Sequence, residues 1–370
     1  MRIGFLNDKY LLGGREKVTC DMIRGMQSIN PDIKFFIITA LYKDYNLLGG
    51  AELVFLPKDI KMKKLEGMIS VVNTIKKLCL DVLIIPIDPA PGLTPYIKNE
   101  LPKLKLIIQY HSRPMWQVFN KTYNSFFRKL RERIFHTYTR RYLNRIKEEC
   151  HYADAVTCLC DTFTQQVQRL IGNKYDALKV HTMYNPLDIP ICAPINRKKE
   201  VIYVGRLSIP DKRVDRLMRI WQPIEAKHPD WRLKIIGIGE AEPFMRQQAK
   251  DMNLKNVEFC GYSSDPSVYY KSASILCLTS DYEGWPLVIA EGLACGILPI
   301  AMNCSPGINE LLSDSRGILI PAGNEQKFSE ELDRSISNGF VSSNPKDFLT
   351  KLSTERVCNN WIRLLYSINI

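Results

Sequence analysis

This 370-residue chain has no obvious cysteine pairing: its eleven cysteines are odd in number, scattered from Cys20 to Cys358, and only Cys158 and Cys160 stand close together. Neither C-x-x-C nor a Cys/His cluster of zinc spacing occurs, so a disulfide scaffold and a structural zinc site are excluded. The thiols read as reduced, mostly core residues of a cytosolic protein. Long apolar runs are also missing. Residues 1–8 hold one short apolar stretch, too short for the h-region of a signal peptide. Residues 284–302 are nearly all apolar, but Glu291 interrupts them and Pro286 and Pro299 break the run, so no transmembrane helix is expected. With 45% apolar and 24% charged residues, disorder and collagen-like repetition are excluded as well. The length suits two domains, each with its own core.

Charge is present but lopsided. Residues 1–195 carry 29 Lys and Arg against 18 Asp and Glu, whereas the remainder carries 22 against 21, so nearly all of the net +12 lies in the first half. A basic half beside a neutral half points to one domain that meets an anionic surface and another with a charge-balanced task.

Short β-rich runs alternate with helix-length segments. The runs fall at residues 2–6, 33–39, 81–87, 104–110 and 153–159, and again at 201–204, 232–236, 257–259, 273–278 and 297–301. The alternation predicts two successive α/β domains, each a doubly wound parallel sheet. Boundaries are expected at 1–190 and 197–352, with a linker near 186–199 where Pro186 and Pro190 break regular structure. A last helix over 354–368, with Val357, Trp361, Leu364 and Leu365 on one face, closes the chain as a separate segment, 353–370. Ligands of open parallel sheets bind beyond the carboxyl ends of the strands, so two such domains facing a central cleft would surround one site.

The densest motif is the stretch 280–299. A strand ending at Leu278 leads to a turn at Glu283-Gly284, and Pro286 is placed to open a helix as its first residue. Amides at that helix start, near Leu287 and Val288, attract an anion. Glu283 just before the helix and Glu291 in its second turn suit sugar and ribose hydroxyls; the alternative is a capping Glu283 and a solvated Glu291. Gly205-Arg206-Leu207 at a strand end, with Lys212-Arg213 following, offers a turn and two cations of the kind that grip a diphosphate. Gly237-Ile238-Gly239 resembles the start of a dinucleotide fingerprint, but Glu242 replaces the last glycine, so no NAD site is read here. In the first half, Gly13-Gly14 joins the first strand to the first helix, either as a close-approach site for a ligand or as a plain tight turn. His111 directly follows an apolar strand, as no other of the five histidines does.

Together these residues resemble the retaining glycosyltransferases of family 4, whose fold is GT-B; the likeness covers most of the chain and is strongest over 201–317. The family's paired glutamates, seven residues between them, match Glu283 and Glu291. The Glu-Gly-Trp-Pro-Leu and Glu-Gly-Leu-Ala-x-Gly-x-x-Pro surroundings match too. The resemblance implies that Arg206 and Lys212 hold the donor diphosphate, Glu291 the ribose and Glu283 the transferred sugar. It further implies backbone at Gly261 and Tyr262 for the base, Gly14 near the donor phosphates or acceptor, and His111 near the reacting carbon. The last helix would cross back to the first domain. The Arg-to-Lys spacing is one residue longer than usual, as in some lipopolysaccharide hexosyltransferases, so the second cation is Lys212 or Arg213. Residues 304–310 follow the family's Gly-x-x-Glu region only loosely, and Glu310 receives no role.

The resemblance implies transfer of a hexose or N-acetylhexosamine from a nucleotide sugar, a UDP-sugar by family frequency, to a glycan or lipid-linked acceptor of the cell surface. The alternative is an inactive GT-B-like binding or assembly subunit. No D-x-D occurs, and the family works without a metal, so metal-independent catalysis without a cofactor is expected. Residues 121–147 carry nine Lys and Arg against Glu132 alone, with Tyr123, Phe127, Leu130, Ile134 and Tyr138 at helical spacing. That pattern suits an anionic membrane surface, or equally an apolar seam packed on the core. The expected location is cytoplasmic, peripheral on the inner face of the membrane. Nucleic acid is not expected as a partner.

Overall fold

The computed structural model describes residues 1–11, 13–43, 48–86, 90–112, 114, 137–172, 179–188, 197–339 and 345–368. Two compact units result: residues 1–186 with 352–370, and residues 187–351. The chain passes from one to the other at Pro186 and Leu187.

The first unit holds β1 (Arg2–Tyr10), α1 (Gly14–Ile29), β2 (Lys34–Tyr42), β3 (Glu52–Phe55), α2 (Leu65–Leu78), β4 (Val82–Ile85), α3 (Leu93–Glu100), β5 (Lys105–Tyr110), α4 (Thr137–Tyr152), β6 (Ala155–Cys158), α5 (Asp161–Ile171) and β7 (Val180–Thr182). The strands form one parallel sheet in the order β3-β2-β1-β4-β5-β6-β7. Central strands such as Val82-Leu83-Ile84-Ile85 are buried along their whole length, which is why they read as continuous apolar runs.

The second unit holds β8 (Glu200–Val204), α6 (Asp215–Lys227), β9 (Arg232–Ile236), α7 (Glu242–Asp251), β10 (Val257–Gly261), α8 (Ser267–Ser272), β11 (Ile275–Leu278), α9 (Leu287–Ala294), β12 (Leu298–Met302), α10 (Pro306–Leu312), β13 (Ile318–Ile320) and α11 (Glu325–Ser337). Its sheet is again parallel, in the order β10-β9-β8-β11-β12-β13. Helix α12 (Lys346–Leu352) follows, and α13 (Thr354–Ser367) packs on α1 in the first unit. Gly25 makes that helix pair close, since a Cβ there would lie 2.5 Å from Cys358 Sγ. Val357, Trp361, Leu364 and Leu365 form the buried face of α13.

In the first unit the strand order reverses between β1 and β4, and in the second between β8 and β11. These are the switch points at which open α/β sheets bind ligands. No helix among the described residues is long and apolar enough to cross a membrane. Residues 121–136 of the basic segment read above lie outside the described residues; its remainder belongs to α4.

Candidate functional site

The second unit's switch point brings together the loop after β8, residues 205–214, and the loop after β11, residues 279–286. Lys212 Nζ donates to Glu283 Oε1 at 2.7 Å. Ser280 Oγ donates to the same oxygen, also at 2.7 Å. Glu283 is only 7% exposed, so this is a nearly buried carboxylate with its charge compensated. Its second oxygen, Oε2, makes no hydrogen bond to a described residue, and Lys212 has three N–H donors of which Glu283 takes one. The pair can therefore hold together and still offer an acceptor and two donors.

Arg206 stands on the same loop, 62% exposed, with Nη2 2.5 Å from Asp211 Oδ2. Gly205 before it has φ +153, a conformation that favours glycine and turns the chain away from β8. The Tyr203 hydroxyl donates to the Arg206 carbonyl at 2.9 Å. Burial raises the Asp211 carboxyl, but a hydrogen bond from Ser208 and the cations Arg206 and Lys212 outweigh it and hold the group below its ordinary range. Arg213, the other candidate for the second cation, is engaged elsewhere: its guanidinium meets Asp215 and Asp281, while Lys212 faces Glu283.

The β11 loop ends in α9. Pro286 is the cap of this helix and not its first residue, because its ψ of 105 is still extended, so the helix opens one residue later than read from the sequence. The N–H groups of Leu287 and Val288 thus belong to the first turn and have no intrahelical acceptor. Glu291 lies in the second turn, but it is buried at 6% exposure and not solvated; the Tyr270 hydroxyl donates to its Oε2 at 2.8 Å. Burial first, then the Glu291 charge, raises the Tyr270 hydroxyl well above its ordinary value, so it remains a donor. A Cβ on Gly307, in the first turn of α10, would sit 2.2 Å from the Gly284 carbonyl, so α10 closes against the Glu283 turn. Cys304 lies beside it, and burial with the Glu283 charge pushes its thiol up to about 12.

The loops after β8, β9 and β10 are laced edge to edge. Gly205 N donates to Ile236 O at 3.0 Å, Leu207 N to Ile238 O at 3.0 Å, and Gly237 N to Gly261 O at 2.7 Å. A Cβ at Gly237 would lie 1.8 Å from the Gly205 carbonyl oxygen, and one at Gly239 2.2 Å from that of Leu207. The G-x-G pair thus serves the close approach of two loops. Gly261 ends β10 at φ +70, and Tyr262 beside it is more than half exposed.

Gly14 and His111 belong to the first unit, at the carboxyl ends of β1 and β5. Gly14 is the first residue of α1, and among the described residues, its own helix backbone and chain neighbours aside, nothing comes within 4 Å of a Cβ built there. No packing within the described chain requires the glycine. His111 is half-buried as a residue, and its Nε2 is enclosed without a hydrogen-bond partner among the described residues. Burial, aided by Arg15, pushes the imidazole down to about 3, so His111 is neutral at physiological pH. Not anticipated from the sequence is a buried polar row at this end of the sheet: Asn7 pairs in register with Thr39, and Gln109 with Thr157. Polar types ending otherwise apolar strands were its only signal.

Residues 191–348 match the family model for glycosyl transferases group 1. An uncharacterized glycosyltransferase of Haemophilus influenzae is 35% identical over 189 residues, which covers 48% of this chain and 52% of that protein. The lipopolysaccharide 1,6-galactosyltransferase of Salmonella typhimurium is 26% identical over 196 residues, covering 50% and 53%. The chain thus spans about half the length of the curated relatives it matches. Among solved structures, the pneumococcal O-GlcNAc transferase GtfA in complex with UDP and GlcNAc superposes with a TM-score of 0.77 at 13% identity, covering 100% of this chain and 99% of that one. Residues 191–348 are thus similar to glycosyl transferases group 1, and the two parallel-sheet units have the GT-B fold.

Proposed function

We propose that the chain is a retaining glycosyltransferase that moves a hexose or N-acetylhexosamine from a nucleotide sugar, a UDP-sugar, to a glycan or lipid-linked acceptor in cell-surface polysaccharide synthesis. The observation that carries this reading is the Lys212–Glu283 pair, 2.7 Å apart at the sheet's switch point beside the first turn of α9. Transfer of a glycosyl group builds negative charge on the leaving diphosphate and positive charge on the sugar. Arg206, Lys212 and the amides of Leu287 and Val288 meet the first, and they do so without a metal. Glu283 Oε2 accepts from sugar hydroxyls, Glu291 from the ribose, and backbone at Gly261 and Tyr262 receives the base. Gly14 leaves room for phosphate or acceptor, and neutral His111 offers a hydrogen bond near the reacting carbon. The test is a panel of UDP-, GDP- and dTDP-sugars followed by release of the nucleoside diphosphate. One donor should be consumed, and consumption of none would contradict the reading.

A membrane-bound acceptor fits the first unit's surface. Phe55, Leu65 and Ile69 are exposed apolar side chains, and Lys58, Lys61, Lys63 and Lys64 are exposed in the same β3-to-α2 stretch without an ion-pair partner among the described residues. Apolar insertion combined with unpaired cations suits an anionic bilayer, each lysine being worth about 1 kcal/mol. The protein should sediment with phosphatidylglycerol vesicles at low salt and lose that binding in Phe55→Ser/Leu65→Ser. No sedimentation at low salt would exclude this face.

A further inference from the structure

Neither loop that carries Lys212 and Glu283 has regular secondary structure to hold it, yet the two are tied together around Asp281. Asp281, two residues before Glu283, is gripped on both oxygens: Arg213 Nη1 lies 2.7 Å from Oδ2 and Arg216 Nη1 2.6 Å from Oδ1. Arg216 is itself buried and donates from the same nitrogen to Thr279 O at 3.0 Å. Arg213 directly follows Lys212 and stands at φ 48, in the left-handed region where a non-glycine residue is strained and persists only if its surroundings hold it. Its other edge meets Asp215, the first residue of α6, through Nε to Oδ1 at 3.0 Å and Nη2 to Oδ2 at 3.1 Å. Arg219 ties Asp215 in turn to Glu325 of α11. Two further hydrogen bonds run alongside: Asp281 N donates to Asp211 O at 2.9 Å, and the Thr279 hydroxyl to Arg213 O at 3.2 Å.

We propose that Asp281, held between Arg213 and Arg216, is a positioning residue that sets the Lys212 ammonium and the Glu283 carboxylate at the spacing a sugar diphosphate requires. It touches no substrate and acts through those two groups, so the inference rests on the roles given to them above. Magnitudes separate this role from mere stabilisation. The Asp281 side chain is 40% exposed, so its pair with Arg213 adds little to folding, but Arg216 on its other oxygen is 7% exposed and would keep Thr279 O and Glu325 alone if Asp281 were removed. A displacement of about 1 Å at reacting groups, in contrast, can cost about 100-fold in rate. Asp281→Ala should therefore lower melting as well as turnover, whereas Asp281→Asn, which keeps an acceptor for Arg216, should show mainly in turnover.

The experiment measures kcat, KM and melting temperature for Asp281→Ala and Asp281→Asn, each alone and with Glu283→Gln. Asp281→Asn keeps the side chain's shape, so it serves if the alanine variant does not fold. Asp281→Ala should lower kcat by about 10-fold or more and lower melting too, and Asp281→Asn should fall between it and the natural chain in kcat with melting nearly unchanged. On the Glu283→Gln background the further loss should shrink to under about 3-fold, since residues that act as a unit are not additive. A natural kcat in Asp281→Ala, or a loss that multiplies in full on the Glu283→Gln background, overturns the clamp. If Glu283→Gln alone turns over donor as the natural chain does, the reading of the site fails first and the clamp falls with it.

Discussion

Glu283→Gln should lower kcat/KM for the donor by about 100-fold while the protein stays folded. The amide keeps the volume and one oxygen, so it can still accept from Lys212 and Ser280, which the natural carboxylate receives at 2.7 Å each. What it loses is the charge and the second acceptor, Oε2. A charge-assisted hydrogen bond is worth about 1.5–3 kcal/mol, and the expected loss is at the upper end of that range. Glu283→Ala is the poorer experiment: it would leave the half-buried Lys212 without its carboxylate and confuse folding with function. Donor-saturation kinetics beside a melting curve separate the two. An unchanged kcat/KM in a folded Glu283→Gln variant would remove the carboxylate from the reaction.

The largest expected effect on folding belongs to Gly237→Ala. The methyl would be built 1.8 Å from the Gly205 carbonyl, on a backbone at φ +147 that side-chain-bearing residues rarely adopt. The obstacle is main chain and cannot rotate away. Strain and overpacking each cost about 1–3 kcal/mol, so the second unit should lose roughly 4 kcal/mol. At about 2–4 °C per kcal/mol for a unit of this size, its unfolding should shift down by about 10 °C. Gly14→Ala is the internal comparison, because no described residue beyond its own helix backbone and chain neighbours lies within 4 Å of the added carbon and the residue is already helical. It should melt within a degree or two of the natural protein. Equal melting of Gly237→Ala would show that the loops after β8 and β9 are not packed as described.

The doubly wound sheets were legible in the sequence because central parallel strands are buried on both faces and read as apolar runs. The strands that escaped notice, β3, β7 and β13, are all sheet edges of three or four residues, too short to show a period. Glu283 and Glu291 were legible as a spaced pair in an apolar helix-forming stretch. That Glu291 is buried against Tyr270 was not, since the two meet only through the packing of α8 on α9. The Gly237 and Gly239 pair was visible only as an incomplete dinucleotide fingerprint, and its partners, Gly205 and Leu207, are brought to it by strand order and not by local spacing. The Asp281 clamp was least legible: its members, spread from Arg213 to Glu325, are ordinary surface residue types that only the meeting of two loops makes specific.

Donor consumption by the natural chain and by Arg206→Ala tests the account most directly. Arg206 is exposed, so its removal should leave folding intact and report on the diphosphate alone. One nucleotide sugar in the panel should be turned over by the natural chain and at least about 10-fold more slowly by the variant, with release of the same nucleoside diphosphate. Failure of the natural chain to consume any donor, or equal rates in the two proteins, would contradict a sugar diphosphate held between the loops after β8 and β11.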